Sequence, residues 1–241
     1  MNALTALSAN AARAMHSVNP HSHVTYDVPS DGLLEEGGCG KQYGRDYDYK
    51  ALAEVLDFLV VMDYDSNDYP RNGAPQNKSI CPTCFFANAA LDVVKAGVEC
   101  YAHQGVPPSK LVLAFPWYGY DYSCAPGDVA NEPFVGHCNV THAAQISLPL
   151  ATELMAKSST GRQWDVDSST PYFYYLASSE NAKEPVLHRV DIDDSQSLRL
   201  KYAYAKKAQA RGVGMWTASS IDYNDTQYVV FWEDLQVFSS K

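Results

Sequence analysis

The fold is decided by an apolar stretch that ends in acidic and aromatic residues, Leu56-Asp57-Phe58-Leu59-Val60-Val61-Met62-Asp63-Tyr64-Asp65. Two further stretches have the same form: Leu111-Val112-Leu113-Ala114-Phe115-Pro116-Trp117-Tyr118-Gly119-Tyr120 and Gly212-Val213-Gly214-Met215-Trp216-Thr217. Such runs are typical of strands in a parallel sheet that is covered on both faces. The carboxyl ends of these strands build the active sites of α/β barrels. Here those ends carry Tyr, Trp and Asp, a combination that suits a sugar ring better than a phosphate or a nucleic acid.

Composition limits the classes of function. The chain has 241 residues, of which 46% are hydrophobic and 12% aromatic, so it is globular rather than disordered. It carries 18 basic and 28 acidic residues, a net charge of −10, and no basic cluster. Nucleic-acid binding is therefore not expected. No apolar run approaches the roughly 20 residues that a membrane-spanning helix needs, so no membrane partner is expected either. We also expect no cofactor.

Cysteines and glycosylation acceptors favour a secreted or lysosomal protein. Six cysteines lie at positions 39, 81, 84, 100, 124 and 138, and their spacing does not reveal how they pair. Asn-x-Ser/Thr acceptors begin at Asn77, Asn139 and Asn224. Together these features favour an oxidising compartment over the cytosol.

The N-terminal segment does not resemble that of a secreted or lysosomal protein. Residues 1–16 contain no apolar core of the kind that a signal peptide has. The apolar residues recur at helical spacing and predict a core-facing helix, with Leu4, Leu7, Ala11 and Met15 inward. A transit peptide remains the alternative for this Ala/Ser/Arg-rich start.

The rest of the pattern predicts a βα repeat. A strand at 23–28 and helical turns at 49–56 precede the first apolar stretch, and residues 87–103 form a helix between the first and second stretches. Ser195 caps a helix to about Arg211 with Leu198, Tyr202 and Ala205 inward, and a last helix runs from Asn224 to about Phe238. Residues 122–194 are an insertion in which Phe173-Tyr174-Tyr175 and 186–190 form antiparallel strands. The expected fold class is α/β, an incomplete (β/α)₈ barrel of about four strands with an α+β insertion before the last. The expected units are 1–121, 122–194 and 195–241.

Several segments resemble the second half of the family 18 glycoside hydrolases. Residues 3–7 are similar to the start of the family's fourth barrel helix, and 24–28 to its fifth strand. The sixth strand's Met-x-Tyr-Asp stands at Met62-Asp63-Tyr64-Asp65. Residues 116–122 resemble the end of the seventh strand, and 211–216 with Asp222-Tyr223 resemble the eighth. The match covers nearly the whole chain, in order and at fitting spacing.

The resemblance implies substrate-assisted, retaining hydrolysis of β-1,4-linked N-acetylglucosamine, with a chitooligosaccharide as the partner. The substrate's own acetamido oxygen attacks the anomeric carbon, so the usual pair of carboxylates is not used. Tyr64 then orients the acetamide and Asp65 hydrogen-bonds the sugar. Met62 packs against the sugar, Trp216 forms the floor of the central subsite, and Tyr118 lines the cleft. The family also implies a lysosomal or secreted enzyme and a disulfide between Cys124 and Cys138.

One departure from the family concerns the chemistry. The Asp-x-x-Asp-x-Asp-x-Glu run that supplies the general acid does not occur in the sequence; its counterpart would lie before Met1. Neither Glu35-Glu36 nor the acidic run 191–194 follows a buried strand, so neither replaces it. We expect the polypeptide alone to be inactive and prone to association. It is then either a glycosidase whose N-terminal half is missing, or a non-catalytic chitooligosaccharide-binding protein or truncated remnant. The identity of any partner chain stays open.

Plainer interpretations stay open for individual residues. Tyr64 and Asp65 also fit an ordinary turn after a strand, and Trp216 also fits a core position. Cys81-Pro82-Thr83-Cys84 resembles a zinc or redox pair, but loop disulfides are favoured because no second pair lies at ligand spacing. His21 and His23 resemble half a metal site, and a solvated turn is favoured, so we expect no metal.

Overall fold

The computed structural model describes residues 2–30, 47–66, 86–128, 138–158, 160–178 and 185–240. In chain order their helices and strands are α1 (Ala3–Val18), β1 (Thr25–Pro29), α2 (Tyr49–Val55), β2 (Phe58–Met62), α3 (Leu91–His103), β3 (Leu111–Pro116), β4 (Tyr118–Cys124), β5 (Val140–Ser147), α4 (Leu148–Met155), β6 (Gln163–Asp165), β7 (Thr170–Ala177), β8 (Val186–Ile192), α5 (Ser195–Lys207), β9 (Gly212–Trp216), α6 (Val229–Asp234) and α7 (Gln236–Ser239). Among these helices, none is long and apolar enough to cross a membrane.

Four strands form a parallel sheet in the order β1-β2-β3-β9. Val28 pairs with Val61, Val61 with Leu113, and Leu113 with Val213, so one apolar row crosses the whole sheet. The predicted α/β class is therefore confirmed. Because all four strands run in one direction, their carboxyl ends lie along a single edge, which we call the carboxyl edge.

One face of the parallel sheet is covered more completely than the other. On β2, Leu59 and Val61 are buried, whereas Phe58, Val60 and Met62 are only partly buried. The buried side chains pack in the same core as residues of α2 and α3. The strand β9 is partly exposed along its whole length. The expectation of continuously buried strands is thus wrong for β2, where buried and partly buried residues alternate, and for β9, in which no residue is fully buried.

A second sheet follows β3 after a single residue, Trp117. It is antiparallel, with the order β5-β4-β8-β7-β6. The predicted antiparallel pair is confirmed, since Phe173 pairs with Val190 and Tyr175 with His188. A Cβ at Gly119 would lie 2.5 Å from the carbonyl oxygen of Asp191, so only glycine fits where β4 and β8 approach. The expected disulfide between Cys124 and Cys138 is present and joins the ends of β4 and the segment before β5.

The prediction for the buried face of α1 is wrong. Its buried residues are Thr5, Ser8 and Ala12, whereas Leu7 and Met15 are exposed by 67% and 50%. Small side chains on this face allow α1 to approach α2 closely, and that tertiary contact overrides the apolar spacing. Of the predicted inward residues only Leu4 packs partly against the core.

Other helix boundaries also differ from those predicted. The helix α3 begins at Leu91 rather than at residue 87, although its predicted inward face is buried. Asp194, not Ser195, caps α5, because its carboxylate accepts the backbone N–H of Ser197. The predicted inward face of α5 is confirmed. The last predicted helix is broken into a 3₁₀ turn, α6 and α7.

Candidate functional site

The end of β2 brings two carboxylates to the carboxyl edge in different environments. Asp63 is buried and accepts a hydrogen bond from Ser30 Oγ at 2.7 Å. Burial raises the pKa of Asp63 to about 7. Asp65 is only partly buried and has a positive φ of 55°, which Asp tolerates better than most residues. Asn88 holds this turn, since its Oδ1 accepts the backbone N–H of Asp65 at 2.7 Å.

Tyrosines of the second sheet bind the Asp65 carboxylate. Tyr118 and Tyr120 donate to Asp65 Oδ1 at 2.5 and 2.6 Å. Burial and the neighbouring Asp65 carboxylate raise the pKa of Tyr118. Asn88 adds a second link, because its Nδ2 donates to the carbonyl oxygen of Tyr118 at 3.1 Å. Hydrogen bonds to one aspartate, Asp65, therefore connect the two sheets at the carboxyl edge.

Tyr64 lies between these groups and an exposed tryptophan. Its ring stacks with that of Trp216 at a centroid distance of 6.2 Å and an angle of 24°, and meets Tyr118 edge-on at 6.4 Å. Burial, with the nearby carboxylates Asp27, Asp65 and Asp63, raises the pKa of Tyr64 to about 12. The hydroxyl of Tyr64 therefore keeps its proton at neutral pH and is a hydrogen-bond donor.

Trp216 presents a large aromatic surface at the end of β9. The residue is 55% exposed, although its carbonyl oxygen accepts the backbone N–H of Trp117 at 2.8 Å. Its side chain borders a cavity of about 190 Å³ whose other lining residues are Tyr118, Gln145, Ile146, Ser147, Thr217 and Ser220. An exposed ring that stacks on Tyr64 and lies beside a partly polar cavity is suited to a ligand with one flat apolar face.

Comparison with known proteins decides the family. The profile of "Glycosyl hydrolases family 18" matches residues 33–220. The chain belongs to glycosyl hydrolase family 18.

Similar proteins are found at the level of sequence and of structure. The chain is 34% identical over 233 residues to di-N-acetylchitobiase of Rattus norvegicus and 31% identical to that of Homo sapiens, with 92% of this chain covered in both cases. It spans 57% of the rat protein and 54% of the human one. A class V chitinase from Nicotiana tobaccum, solved in complex with NAG4, matches 98% of this chain and 63% of its own length at a TM-score of 0.69. Its 18% identity shows a shared fold alone.

The structure brings four of the five residues expected in the family 18 site together. Tyr64, Asp65, Tyr118 and Trp216 are joined by the ring contacts and the hydrogen bond described above. The fifth, Met62, ends β2 and is partly buried on the less covered face of the sheet.

Sequence reasoning did not single out three residues that complete this arrangement. Tyr120 alternates with Tyr118 and Tyr122, so the period of two along a strand could have revealed it. Asn88 was hidden by the prediction that α3 already begins at residue 87, and its side chain instead bonds to neighbouring segments. Gln145 has no local pattern around it and reaches the site only because β5 pairs with β4.

The aspartates of the run 191–194 each make contacts within the second sheet or at the start of α5. Asp191 forms two hydrogen bonds with buried Arg189, at 2.7 and 2.9 Å. Asp193 is buried and accepts hydrogen bonds from Lys201 and Ser197, and Asp194 caps α5. None of these carboxylates is therefore available as an acid at the carboxyl edge. Glu35-Glu36 lies outside the described residues.

The remaining candidate residues have ordinary surroundings where they are described. Asn139 and Asn224 are exposed, and their side-chain amides donate to Asp128 and Asp222, both at 3.1 Å. The ring of His23 meets that of Phe58 edge-on at 5.6 Å. Within the described ranges, no group of three His, Cys, Asp or Glu is placed to hold a metal ion. Asn77 and the pair Cys81 and Cys84 lie outside the described residues.

Proposed function

We propose that the carboxyl edge binds a chitooligosaccharide and supplies part of the machinery of a substrate-assisted, retaining glycosidase. Membership of family 18 supports a chitooligosaccharide glycosidase, and relatives named di-N-acetylchitobiase support the same substrate class. The observation that carries the proposal is the exposed ring of Trp216, stacked on Tyr64 beside the Asp65 carboxylate. Trp216 would cover the apolar face of one sugar ring, while Met62 and Tyr118 line the same cleft.

The proposed chemistry uses the substrate's own acetamido group. Its carbonyl oxygen attacks the anomeric carbon as the glycosidic bond breaks, giving a cyclic oxazolinium with the positive charge on the former amide. The leaving oxygen takes a proton from an acid. Water then gives a proton to the conjugate base of that acid, attacks the anomeric carbon and reopens the ring with retention. Tyr64 donates a hydrogen bond to the acetamide, and Asp65 binds the sugar through its remaining carboxylate oxygen.

Of the carboxylates that the structure describes at the end of β2, neither Asp63 nor Asp65 is suited to supply the acid that this scheme needs. Asp63 is buried and accepts a hydrogen bond from Ser30, Asp65 is bound by two tyrosines, and the sequence contains no Asp-x-x-Asp-x-Asp-x-Glu run. Losing a general acid lowers rates by about 10²–10⁴-fold. We therefore propose that the 241-residue polypeptide alone binds the sugar without hydrolysing it. The alternative function is a chitooligosaccharide-binding protein that uses the same residues.

At the level of the fold we propose an incomplete (β/α)₈ barrel, equivalent to about strands five to eight. The parallel sheet supports this, because β1 and β9 are its outer strands and one face of β2 is only partly covered. The proposed units are 1–121, an insertion at 122–194, and 195–241. Open strand edges and the exposed Leu7 and Met15 favour association of the 241-residue polypeptide. Sedimentation that gives a single monomeric species would contradict this part.

We also propose a lysosomal or secreted location, supported by the disulfide and by the exposed acceptors Asn139 and Asn224. Mass spectrometry of the protein from its own cells tests it. Glycan attached at either asparagine supports the location. Complete recovery of both peptides without any glycan would contradict it.

The experiment that tests the function measures binding and hydrolysis together. The 241-residue polypeptide is incubated with N-acetylchitotetraose, binding is followed by saturation-transfer NMR, and released sugars are separated by chromatography. That NMR method also works on associated protein. We expect transfer to the sugar ring protons without new products. Products formed by the pure polypeptide would overturn the inactivity, and no transfer would overturn the proposed function.

A further inference from the structure

The second sheet places a glutamine at the same site from its outermost strand. Gln145 lies on β5, directly opposite Tyr120 of β4. Its Nε2 donates to Tyr120 Oη at 2.9 Å and lies 3.4 Å from Asp65 Oδ1. Gln145 is exposed, and it borders the cavity of about 190 Å³ beside Trp216.

The hydrogen bonds fix which way the amide of Gln145 points. Tyr120 donates its only hydroxyl proton to Asp65 Oδ1, so its oxygen is left as an acceptor. A carboxylate also only accepts. Both neighbours therefore require the NH₂ side of the amide, and a flipped amide would place oxygen against oxygen. Among the described residues, none donates to Oε1 of Gln145, which leaves that oxygen free at the cavity.

We propose that Gln145 is a ligand-binding residue of this cleft, whose Oε1 accepts a hydrogen bond from the sugar unit that lies on Trp216. The donor is a hydroxyl or an acetamido N–H of that sugar. Gln145 determines specificity, because a ligand with a hydrogen-bond donor at this position pairs with the fixed oxygen. A ligand that lacks the donor leaves that oxygen without a partner and binds more weakly. This inference rests on the proposed function, since it assumes that a sugar occupies the Trp216 cavity.

Gln145 also positions Asp65 through Tyr120. Its amide orients the Tyr120 hydroxyl, and that hydroxyl with Tyr118 directs Asp65 Oδ1 inward. No described residue donates to Asp65 Oδ2, so the other oxygen stays available to the ligand. Gln145 thus acts twice, once directly through Oε1 and once by holding the carboxylate.

The first test compares Gln145→Ala with Gln163→Ala, a glutamine on β6 at the opposite edge of the same sheet. We expect Gln145→Ala to weaken N-acetylchitotetraose binding roughly three- to tenfold, the range for one lost hydrogen bond, and Gln163→Ala to leave it unchanged. Equal affinity of Gln145→Ala and wild type overturns the inference and leaves the proposed function standing. No binding by wild type overturns the proposed function itself.

The second test uses Gln145→Glu, because the effect of a residue that only packs on β5, without acting at Asp65 or the ligand, would not depend on pH. A protonated glutamic acid still donates and accepts like the amide, whereas the ionised form repels the carboxylate of Asp65. We expect the affinity of Gln145→Glu relative to wild type to recover as the pH is lowered from about 7 to about 4, near the usual pKa of Glu. A ratio that does not change with pH overturns the inference.

A second ligand shows which group of the sugar donates the hydrogen bond to Gln145. Cellotetraose carries a hydroxyl where N-acetylchitotetraose carries each acetamido group. A loss in Gln145→Ala that is confined to N-acetylchitotetraose supports the acetamido N–H as the donor, and the same loss for both sugars supports a hydroxyl. If Gln145→Ala binds both sugars with wild-type affinity, the inference is overturned.

Discussion

Asp65 and Asp191 both have tyrosine neighbours, but they differ in whether a carboxylate oxygen is free to bind a ligand. Asp191 is buried, and both of its oxygens bind Arg189, which is itself packed between the rings of Phe86 and Tyr172. Asp65 is partly buried, and its tyrosine partners bind Oδ1 alone. The difference shows that residue type does not identify the ligand carboxylate in this aromatic protein. Burial and the number of occupied oxygens do.

The largest expected effect is on the structural carboxylate. Arg189→Met leaves Asp191 buried without its partner and should lower the free energy of unfolding by about 3–5 kcal/mol. Urea unfolding measures this. Arg162→Met is the matched control, because Arg162 pairs with Asp194 at the surface and should cost less than about 1 kcal/mol. Equal losses in the two variants would contradict the contrast between Asp191 and the surface pair.

Asp63, a third carboxylate, should make the stability of the fold depend on pH. Asp63 keeps its proton up to about pH 7 in the folded protein, whereas its usual pKa is 3.8. Its contribution to stability is therefore complete below about pH 4 and is lost as the pH rises toward 7. The loss is on the order of 4 kcal/mol.

Asp63→Asn should remove this part of the pH dependence. Unfolding free energies at several pH values between 4 and 7 measure it for wild type and variant. Asp92→Asn, at an exposed position on α3, is the control that should keep the wild-type slope. A parallel slope in Asp63→Asn would show that Asp63 does not titrate in this window.

The disulfide should matter next. Cys124 and Cys138 are 14 residues apart, and closing a loop of that length stabilises a fold by about 3 kcal/mol. Replacing both by Ala should lower the urea midpoint. The same change should also weaken ligand binding slightly, because the bridge holds together the two strands that carry Tyr120 and Gln145. An unchanged midpoint would contradict the stabilising role.

The smallest change in stability is expected at the ligand carboxylate. Asp65→Asn weakens the hydrogen bonds from Tyr118 and Tyr120 and should cost about 1–2 kcal/mol of stability. Binding of N-acetylchitotetraose should fall about tenfold or more, because the free oxygen loses its charge. Asp65→Asn with full affinity would mean that Asp65, like Asp191, has only a structural role.

The sequence predicted the parallel sheet because three apolar stretches with similar ends are unambiguous. It also predicted the inward face of α5, where Leu198, Tyr202 and Ala205 follow helical spacing. It failed at α1, because apolar spacing does not reveal that small residues pack against a neighbouring helix. It failed at Asn88, whose side-chain hydrogen bonds to Asp65 and Tyr118 are made across the fold.

The candidate site was predictable where a motif carried it. Met-x-Tyr-Asp and the aromatic end of the β3–β4 segment brought Tyr64, Asp65 and Tyr118 into consideration by resemblance. Gln145 could not be predicted, because its place depends on the register between β4 and β5 rather than on nearby residues. Side chains contributed by an antiparallel partner strand are the part of a site that sequence spacing conveys least.

The most direct test of the central claim is a calorimetric titration of wild type, Trp216→Ala and Trp164→Ala with N-acetylchitotetraose. Trp164 lies on β6, where its ring meets Arg162, and provides a tryptophan away from the carboxyl edge. We predict that Trp216→Ala loses at least about tenfold in affinity, as a dominant binding residue does, and that Trp164→Ala binds like wild type. Full affinity in Trp216→Ala would contradict the claim that the carboxyl edge is the sugar site.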